Sequence, residues 1–354
     1  TQSYPESRQH GQRALLLFPP GLDFIAAFFG CLYAGIVAVP AFPPRLNRPA
    51  PRIQAIATDA QASFVLTTAK ILRNQGKLFK HTPDLVATQW LSTEDINEDL
   101  ASEWREPTVR SDDLAFLQYT SGSTGNPKGV MLSHANILHN LAAIREGFQI
   151  KDSRGASWLP NYHDMGLIGG ILEPMYVGNP SVLMAPAAFP QRPVRWLEMI
   201  SRYRASISGG PNFAYQMCVD KITPQECENL DLSCWEIAFC GAEPIREETL
   251  TAFAEKFAPY GFRRQAFYAC YGLAESSLMV TGGDATAELL VTRFEAPALA
   301  LGRAQTADST PGQTVALVSC GHARPGHRVI IANPDTLTTC EEGEIGEIWA
   351  AGPS

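Results

Sequence analysis

Four short apolar runs in this chain each end in a cluster of small and polar residues, and that repeated pairing most limits how the chain can fold. Leu114-Ala115-Phe116-Leu117-Gln118 leads into Tyr119-Thr120-Ser121-Gly122-Ser123-Thr124-Gly125-Asn126-Pro127-Lys128-Gly129. Ala156-Ser157-Trp158-Leu159 leads into Pro160-Asn161-Tyr162-His163-Asp164-Met165-Gly166. Ile237-Ala238-Phe239 leads into Cys240-Gly241-Ala242-Glu243-Pro244, and Ala266-Phe267-Tyr268-Ala269 into Tyr271-Gly272-Leu273-Ala274-Glu275. Amphipathic stretches at 193–203, 212–220 and 246–257 separate the later runs and read as helices. Strands alternating with helices give an α/β fold with a parallel-rich, helix-covered sheet. Ligands in such sheets bind beyond the carboxyl ends of the strands, where all four clusters stand.

The rest of the chain fits this plan. Residues 14–18 read as a strand, 22–34 as a buried helix and 36–40 as a strand, together a βαβ unit. A proline-rich loop follows at 40–51, then a helix at 52–60 and a strand at 63–66. The weakly patterned stretch 69–110 holds one strand near 85–90. Residues 130–132 form a second short strand after the Gly-rich cluster, and Ser133 caps a helix to about 148. Residues 166–177 read as helical. From 276 to 345 the chain is rich in Ala, Thr, Gly and Pro, with short strands at 289–292, 315–319 and 328–332. The expected organisation is an α/β core at 1–275 and a β-rich segment of the same domain at 276–354.

Charged residues make up 18% of the 354, with a net charge of −8 and no run of Lys and Arg, which argues against a nucleic-acid groove. Eight cysteines are scattered without a Cys-x-x-Cys pair, so free thiols in a reducing cytoplasm are the expectation. The most apolar stretch, 22–42, is interrupted by Asp23, Gly30, Gly35 and Pro40, which argues against a transmembrane segment.

The cluster after Tyr119 has the make-up of a phosphate cradle. Glycines let the backbone turn its N–H groups toward an anion. Thr120, Ser121, Ser123 and Thr124 add hydroxyls, and Lys128 adds a charge. A Walker loop would end in Gly-Lys-Ser/Thr and open a helix, and this one does neither. An ordinary solvated turn is the plainer alternative. His163 and Asp164, adjacent in an extended segment, would point to opposite faces, so no His–Asp pair is expected. Glu275 taken alone could be a solvated charge, and Gly241 an ordinary turn glycine.

The 119–129 string resembles the signature loop of the adenylate-forming superfamily. Trp158-Leu159-Pro160-Asn161-Tyr162-His163-Asp164-Met165-Gly166-Leu167, Gly209-Gly210-Pro211-Asn212-Phe213-Ala214-Tyr215 and Tyr271-Gly272-Leu273-Ala274-Glu275-Ser276 are similar to fatty acyl-AMP ligases. The resemblance runs from about residue 13 to 354. It implies the superfamily's large N-terminal domain, and ATP and Mg2+ as cofactors. It implies that Thr120, Ser121, Gly122, Ser123, Thr124, Gly125 and Lys128 grip the β- and γ-phosphates. Gly241, Ala242 and Glu243, with Tyr271, Gly272, Leu273 and Ala274, would lie against the nucleotide. Glu275, with Thr120, would serve Mg2+. His163, Asp164 and Met165 would stand beside the α-phosphate and the substrate carboxylate. His163 then positions charge rather than acting as a base, since a carboxylate nucleophile is already deprotonated at pH 7.

Gly209, Gly210, Asn212, Phe213 and Tyr215 would wall the acyl site, the two glycines leaving room for a chain to pass. Plain helix–sheet packing is the alternative for that stretch. The implied catalytic set is His163, Lys128 and Glu275. The implied reaction joins a fatty acid to AMP, for transfer to an acyl carrier protein or polyketide synthase module. A fatty acyl-CoA synthetase and a silent nucleotide-binding or docking domain are the rival readings. An insertion expected in these ligases falls at about 288–316. The superfamily's ribose-binding Asp, hinge and C-terminal lid do not occur before Ser354, so the expectation is an N-terminal domain with the lid absent.

Overall fold

A computed structural model describes residues 11–42, 51–76, 85, 88–120, 127–307 and 313–354. The chain divides into two compact units, Thr1–Leu138 with Pro160–Leu167, and His139–Leu159 with Ile168–Ser354.

The first unit is built on β1 (Arg13–Leu17), α1 (Leu22–Tyr33), β2 (Val37–Pro40), α2 (Pro51–Ala60), β3 (Phe64–Thr67), β4 (Gln89–Ser92), β5 (Leu114–Thr120) and β6 (Lys128–Ser133). Among the described residues these strands form one six-stranded sheet in the order β4-β3-β1-β2-β5-β6. Every pairing is parallel except β5 with β6. β1 and β2 are apolar and buried along almost their whole length, as central parallel strands are. Helix α1 buries Phe24, Ala27, Phe28 and Cys31, one stripe at helical spacing. Phe28 meets Phe116 of β5 edge to face at 5.5 Å. The core joins Leu15, Leu17, Val37, Val39, Val65 and Tyr119.

Helix α3 (His134–Gly147) starts in the first unit and ends in the second. Ser133 caps it reciprocally with Asn136: the Asn136 N–H donates to the Ser133 hydroxyl at 3.2 Å, and the Ser133 N–H to Asn136 Oδ1 at 2.9 Å.

The second unit adds β7 (Gly155–Ser157), β8 (Ser181–Leu183), α4 (Val194–Tyr203), β9 (Ile207–Gly210), α5 (Asn212–Lys221), β10 (Ile237–Cys240), α6 (Glu247–Phe257), β11 (Phe267–Gly272) and β12 (Met279–Gly282). β13 (Val291–Glu295), β14 (Thr314–Val318), β15 (His322–Ala323), β16 (Arg328–Asn333), β17 (Thr338–Thr339) and β18 (Glu347–Ala351) follow. Among the described residues its main sheet has the order β15-β12-β11-β10-β9-β7-β8. From β8 to β11 the pairing is parallel, and β12 and β15 extend it antiparallel. β12 and β15, both from the stretch after 275, thus join the sheet that carries β11. Trp196, Tyr215, Trp235, Phe253 and Phe267 are at the centre of its core. The pair β13–β14 forms a separate small sheet, and β17, β16 and β18, in that order, form another.

The structure departs from the sequence expectations locally. The strand expected near 85–90 runs over Gln89–Ser92. The helix expected at 166–177 opens as a π-helix over Met165–Leu172 and tightens to α only at Glu173–Val177. Gly166, Gly169 and Gly170 in this stretch weaken regular α-winding. Strand β12 has no counterpart among the strands read from the sequence.

Candidate active site

In the first unit, β5 ends at Thr120 and β6 begins at Lys128, and the two residues are register partners. Thr120 is half-buried and Lys128 exposed. Ser121, Gly122, Ser123, Thr124 and Gly125 lie outside the described residues. Strand β5 also reaches the second cluster, since Gln118 Nε2 donates to the Tyr162 carbonyl at 2.8 Å. Phe42 packs edge-on against Tyr162 at 5.4 Å. The structure therefore brings the strand before the Gly-rich loop and the His163 turn together.

His163 and Asp164 are paired, contrary to the sequence expectation. Asp164 Oδ1 accepts from His163 Nδ1 and from the Met165 backbone N–H, both at 2.6 Å. The segment is a turn that enters a helix, not a strand, so the opposite-face rule does not apply. The bond to Asp164 raises the His163 pKa above its usual value, and the Asp164 charge adds to it; burial and the Arg52 charge on α2 pull it down. With Nδ1 engaged, Nε2 is left for a ligand. The His163 side chain is 55% exposed and that of Asp164 12%, so the imidazole is the reachable partner. Met165 is buried. Neither Asp164 as a partner nor Arg52 was singled out from the sequence. The only available signal was that Asp is a favoured residue at a helix start.

In the second unit, the 241–243 and 209–215 stretches meet. Glu243 Oε1 accepts from the Phe213 backbone N–H at 2.5 Å, an anionic cap on the start of α5. Asn212 Oδ1 accepts from the Arg246 N–H at 3.0 Å. A cleft of about 540 Å³ opens there, lined by Asn212, Phe213, Gln216, Met217, Glu243 and Arg246. Ala242 takes a left-handed conformation, φ 67°, next to Gly241. A Cβ on Gly241 would stand 2.9 Å from the Cys270 carbonyl oxygen, so this turn lies tight against β11.

Two expectations for the acyl wall are corrected. Gly209 and Gly210 leave no open passage: a Cβ on Gly209 would stand 2.1 Å from the Phe239 carbonyl oxygen, and one on Gly210 2.9 Å from the Trp158 ring. Close strand and ring packing is what these glycines permit. Tyr215 is fully buried among Trp196, Phe253 and Phe267, and its hydroxyl donates to the Phe239 carbonyl at 2.8 Å. Its side chain belongs to the core rather than to an open wall.

Tyr271 and Gly272 end β11, Leu273 follows, and Ala274–Ser276 is a single 3₁₀ turn with Glu275 exposed. A Cβ on Gly272 would stand 1.7 Å from the Leu278 carbonyl oxygen, which makes glycine obligatory beside the returning chain. Asn140 of α3, fully buried, staples this turn. Its Nδ2 donates to the carbonyls of Ser276 at 3.2 Å and Met279 at 2.9 Å, and its Oδ1 accepts from the Met279 N–H at 3.0 Å. Asn140 was not legible from the sequence, where it is one polar residue on a helix face.

The model for AMP-binding enzymes matches residues 8–354 of this chain. The chain belongs to the AMP-binding enzyme family. This AMP-binding enzyme is 45% identical over 350 residues to the medium-chain-fatty-acid acyl-carrier-protein ligase JamA of Moorena producens, covering 97% of the chain and 59% of JamA. It is 35% identical over 351 residues to the long-chain-fatty-acid AMP ligase FadD32 of Mycolicibacterium smegmatis, covering 97% of the chain and 56% of the relative. A solved fatty acyl-adenylate ligase from L. pneumophila, in complex with acyl adenylate and pyrophosphate, superposes with a TM-score of 0.92 at 44% identity, covering 99% of this chain and 60% of that one. The resemblance to fatty acyl-AMP ligases and the N-terminal-domain fold are thereby borne out. The chain spans about three fifths of the length of the relatives it matches.

The donor set of this AMP-binding enzyme suits Mg2+. Glu275 offers an exposed carboxylate free of hydrogen bonds to the described residues. Mg2+ takes one or two carboxylates and fills its shell with phosphate oxygens and water, so an all-protein cage is not required. Among the described residues no three His, Cys, Asp or Glu gather as such a cage. No described helix is long and apolar enough to cross a membrane.

Proposed function

We propose that the whole protein activates a fatty acid with ATP, forming acyl-adenylate and pyrophosphate, and passes the acyl group to an acyl carrier protein of a polyketide or lipopeptide pathway. The observation that carries this reading is the likeness, at a TM-score of 0.92 and 44% identity, to a ligase solved with both of those products. The fatty carboxylate attacks the α-phosphorus in line, and the P–O bond to the pyrophosphate leaving group breaks. The protein's work is positioning and charge neutralisation.

Thr120, Ser121, Gly122, Ser123, Thr124, Gly125 and Lys128 hold the β- and γ-phosphates. Glu275 and Thr120 would hold Mg2+, which supplies charge neutralisation at the phosphate oxygens when bound. His163, oriented by Asp164, presents Nε2 to the reacting carboxylate and α-phosphate. Gly241, Ala242, Glu243, Tyr271, Gly272, Leu273 and Ala274 lie along the nucleotide. Met165, Asn212 and Phe213 belong to the acyl side, where each buried CH2 contributes about 0.8 kcal/mol.

The ligase-type insertion at about 288–316 includes β13, the β13–β14 connection and the start of β14, and we assign it the role of disfavouring thioester formation with free CoA. Eight unpaired thiols support a reducing cytoplasm as the compartment.

The test is a mass-spectrometric scan of products from a mixed fatty-acid pool with ATP and Mg2+. Acyl-adenylates are expected, converting to carrier-bound thioester when an acyl carrier protein is supplied. Acyl-CoA formed in preference to carrier acylation makes the protein a CoA synthetase, and absence of any adenylate removes the proposal.

A further inference from the structure

Resting on the reading of 120–128 as the triphosphate holder, we propose that Tyr119 and Asp59 are a positioning pair that fixes where Thr120 and Lys128 stand. Tyr119 is the residue before Thr120 on β5 and is 6% exposed. Its hydroxyl donates to Asp59 Oδ2, in the last turn of α2, at 2.5 Å. Its ring lies against Gly129 of β6: a Cβ built there would stand 2.8 Å from Tyr119 Cζ and 3.0 Å from its hydroxyl oxygen. Tyr119 and Gly129 are register partners, and Thr120 and Lys128 are the next pair out. One phenol therefore braces both strand ends against one helix.

The helix is itself anchored. Arg13 of β1 donates through Nη1 to the Ala60 carbonyl at 2.9 Å, one residue past Asp59. The chain β1–α2–Tyr119–Gly129 is continuous across the first unit. The hydroxyl stays a donor, because burial first, and then the bond to Asp59, push its pKa up against the pull of Arg13. It is neither base nor nucleophile. Its effect is preorganisation: a cationic side chain and a hydroxyl held at fixed spacing interact with a polyanion without reorganising when it arrives.

A residue that only stabilises the fold affects every ligand alike, whereas this pair acts on the phosphates beyond AMP. The complete protein carrying Tyr119→Phe, Asp59→Asn or both is titrated calorimetrically with ATP and with AMP. ATP affinity is expected to fall about tenfold, as for loss of a hydrogen bond to a charged group. AMP affinity should stay within about twofold, and the double variant should lose no more than the larger single loss, because the two groups act as one unit. Unchanged ATP affinity, or equal loss of both nucleotides, overturns the pair's role. Lys128→Ala is the control for the reading beneath it, and should itself weaken ATP while sparing AMP. If Lys128→Ala leaves ATP affinity intact, the phosphate reading falls and this proposal with it; if it weakens ATP while Tyr119→Phe does not, only the positioning pair falls. Should Tyr119→Phe fail to fold, Asp59→Asn decides by the same criteria.

Discussion

The bond from His163 to Asp164 raises the histidine's pKa and so ties the turn that carries the pair to pH. A histidine whose folded pKa is raised contributes stability that is fully present below its unfolded value, about 6.5, and lost as pH rises through the folded value. The protonated form, which favours an anionic reactant, declines over the same window. In Asp164→Asn the NMR titration midpoint of His163 should drop below that of the wild type; an unchanged midpoint would remove Asp164 as the cause. Glu173 behaves differently. Both its carboxylate oxygens are buried without a hydrogen-bond partner among the described residues, and burial pushes its pKa to about 8 against the weaker pull of Arg145. The protein thus holds it neutral below that pH. Stability from this group is complete below about 4.3 and is lost as pH rises toward about 8. Glu173→Gln should therefore gain on the wild type by several degrees in Tm between pH 6 and pH 9, a few kcal/mol at roughly 2–4 °C each. Parallel Tm curves for the two proteins across that range would contradict it.

At the scale of elements, the motif glycines serve strand and turn packing before they serve a ligand. β9 and β10 are parallel partners with Gly209 opposite Phe239, and the Phe239 carbonyl oxygen and ring fill the place of a side chain. Gly209→Ala should cost more than about 3 kcal/mol, because the clash is with backbone and no rotamer relieves it. Chemical denaturation measures this, and a loss under ~1 kcal/mol would show that the strands yield. The same logic holds at Gly272, where the chain returns into β12 through a turn fixed by Asn140. That turn presents Glu275, so a carboxylate exposed at its tip is held by a buried amide on a helix 135 positions earlier in the chain.

At the scale of the molecule, Thr120, Lys128 and His163 belong to one compact unit and Tyr271 and Glu275 to the other. If one reaction uses both sets, Lys128→Ala and Glu275→Gln should each lower pyrophosphate–ATP exchange by the complete protein at least ~10-fold, the scale of a lost charge-stabilising contact. Retention of full exchange by either variant removes that residue from the reaction. The α/β class, most strands and helices of the two sheets, and the four clusters at strand ends were legible in the residues alone. Apolar runs, helical spacing and glycine placement are local properties, and burial along β1, β2, β5 and β9–β11 follows from them directly. The family was legible there too, because the residues of the clusters stand together in short strings. Which partners those residues take depends on contacts that exist once the chain has folded. The π-wound start of 165–172, the pairing of His163 with Asp164, the clasp of Tyr119 by Asp59 and the staple of the Glu275 turn by Asn140 are set by backbone direction or by contacts between distant segments. So is the filling of the space beside Gly209 by Phe239. A polar side chain has no periodicity that reveals its partner, and a glycine does not announce whether ligand or protein will occupy the room it leaves.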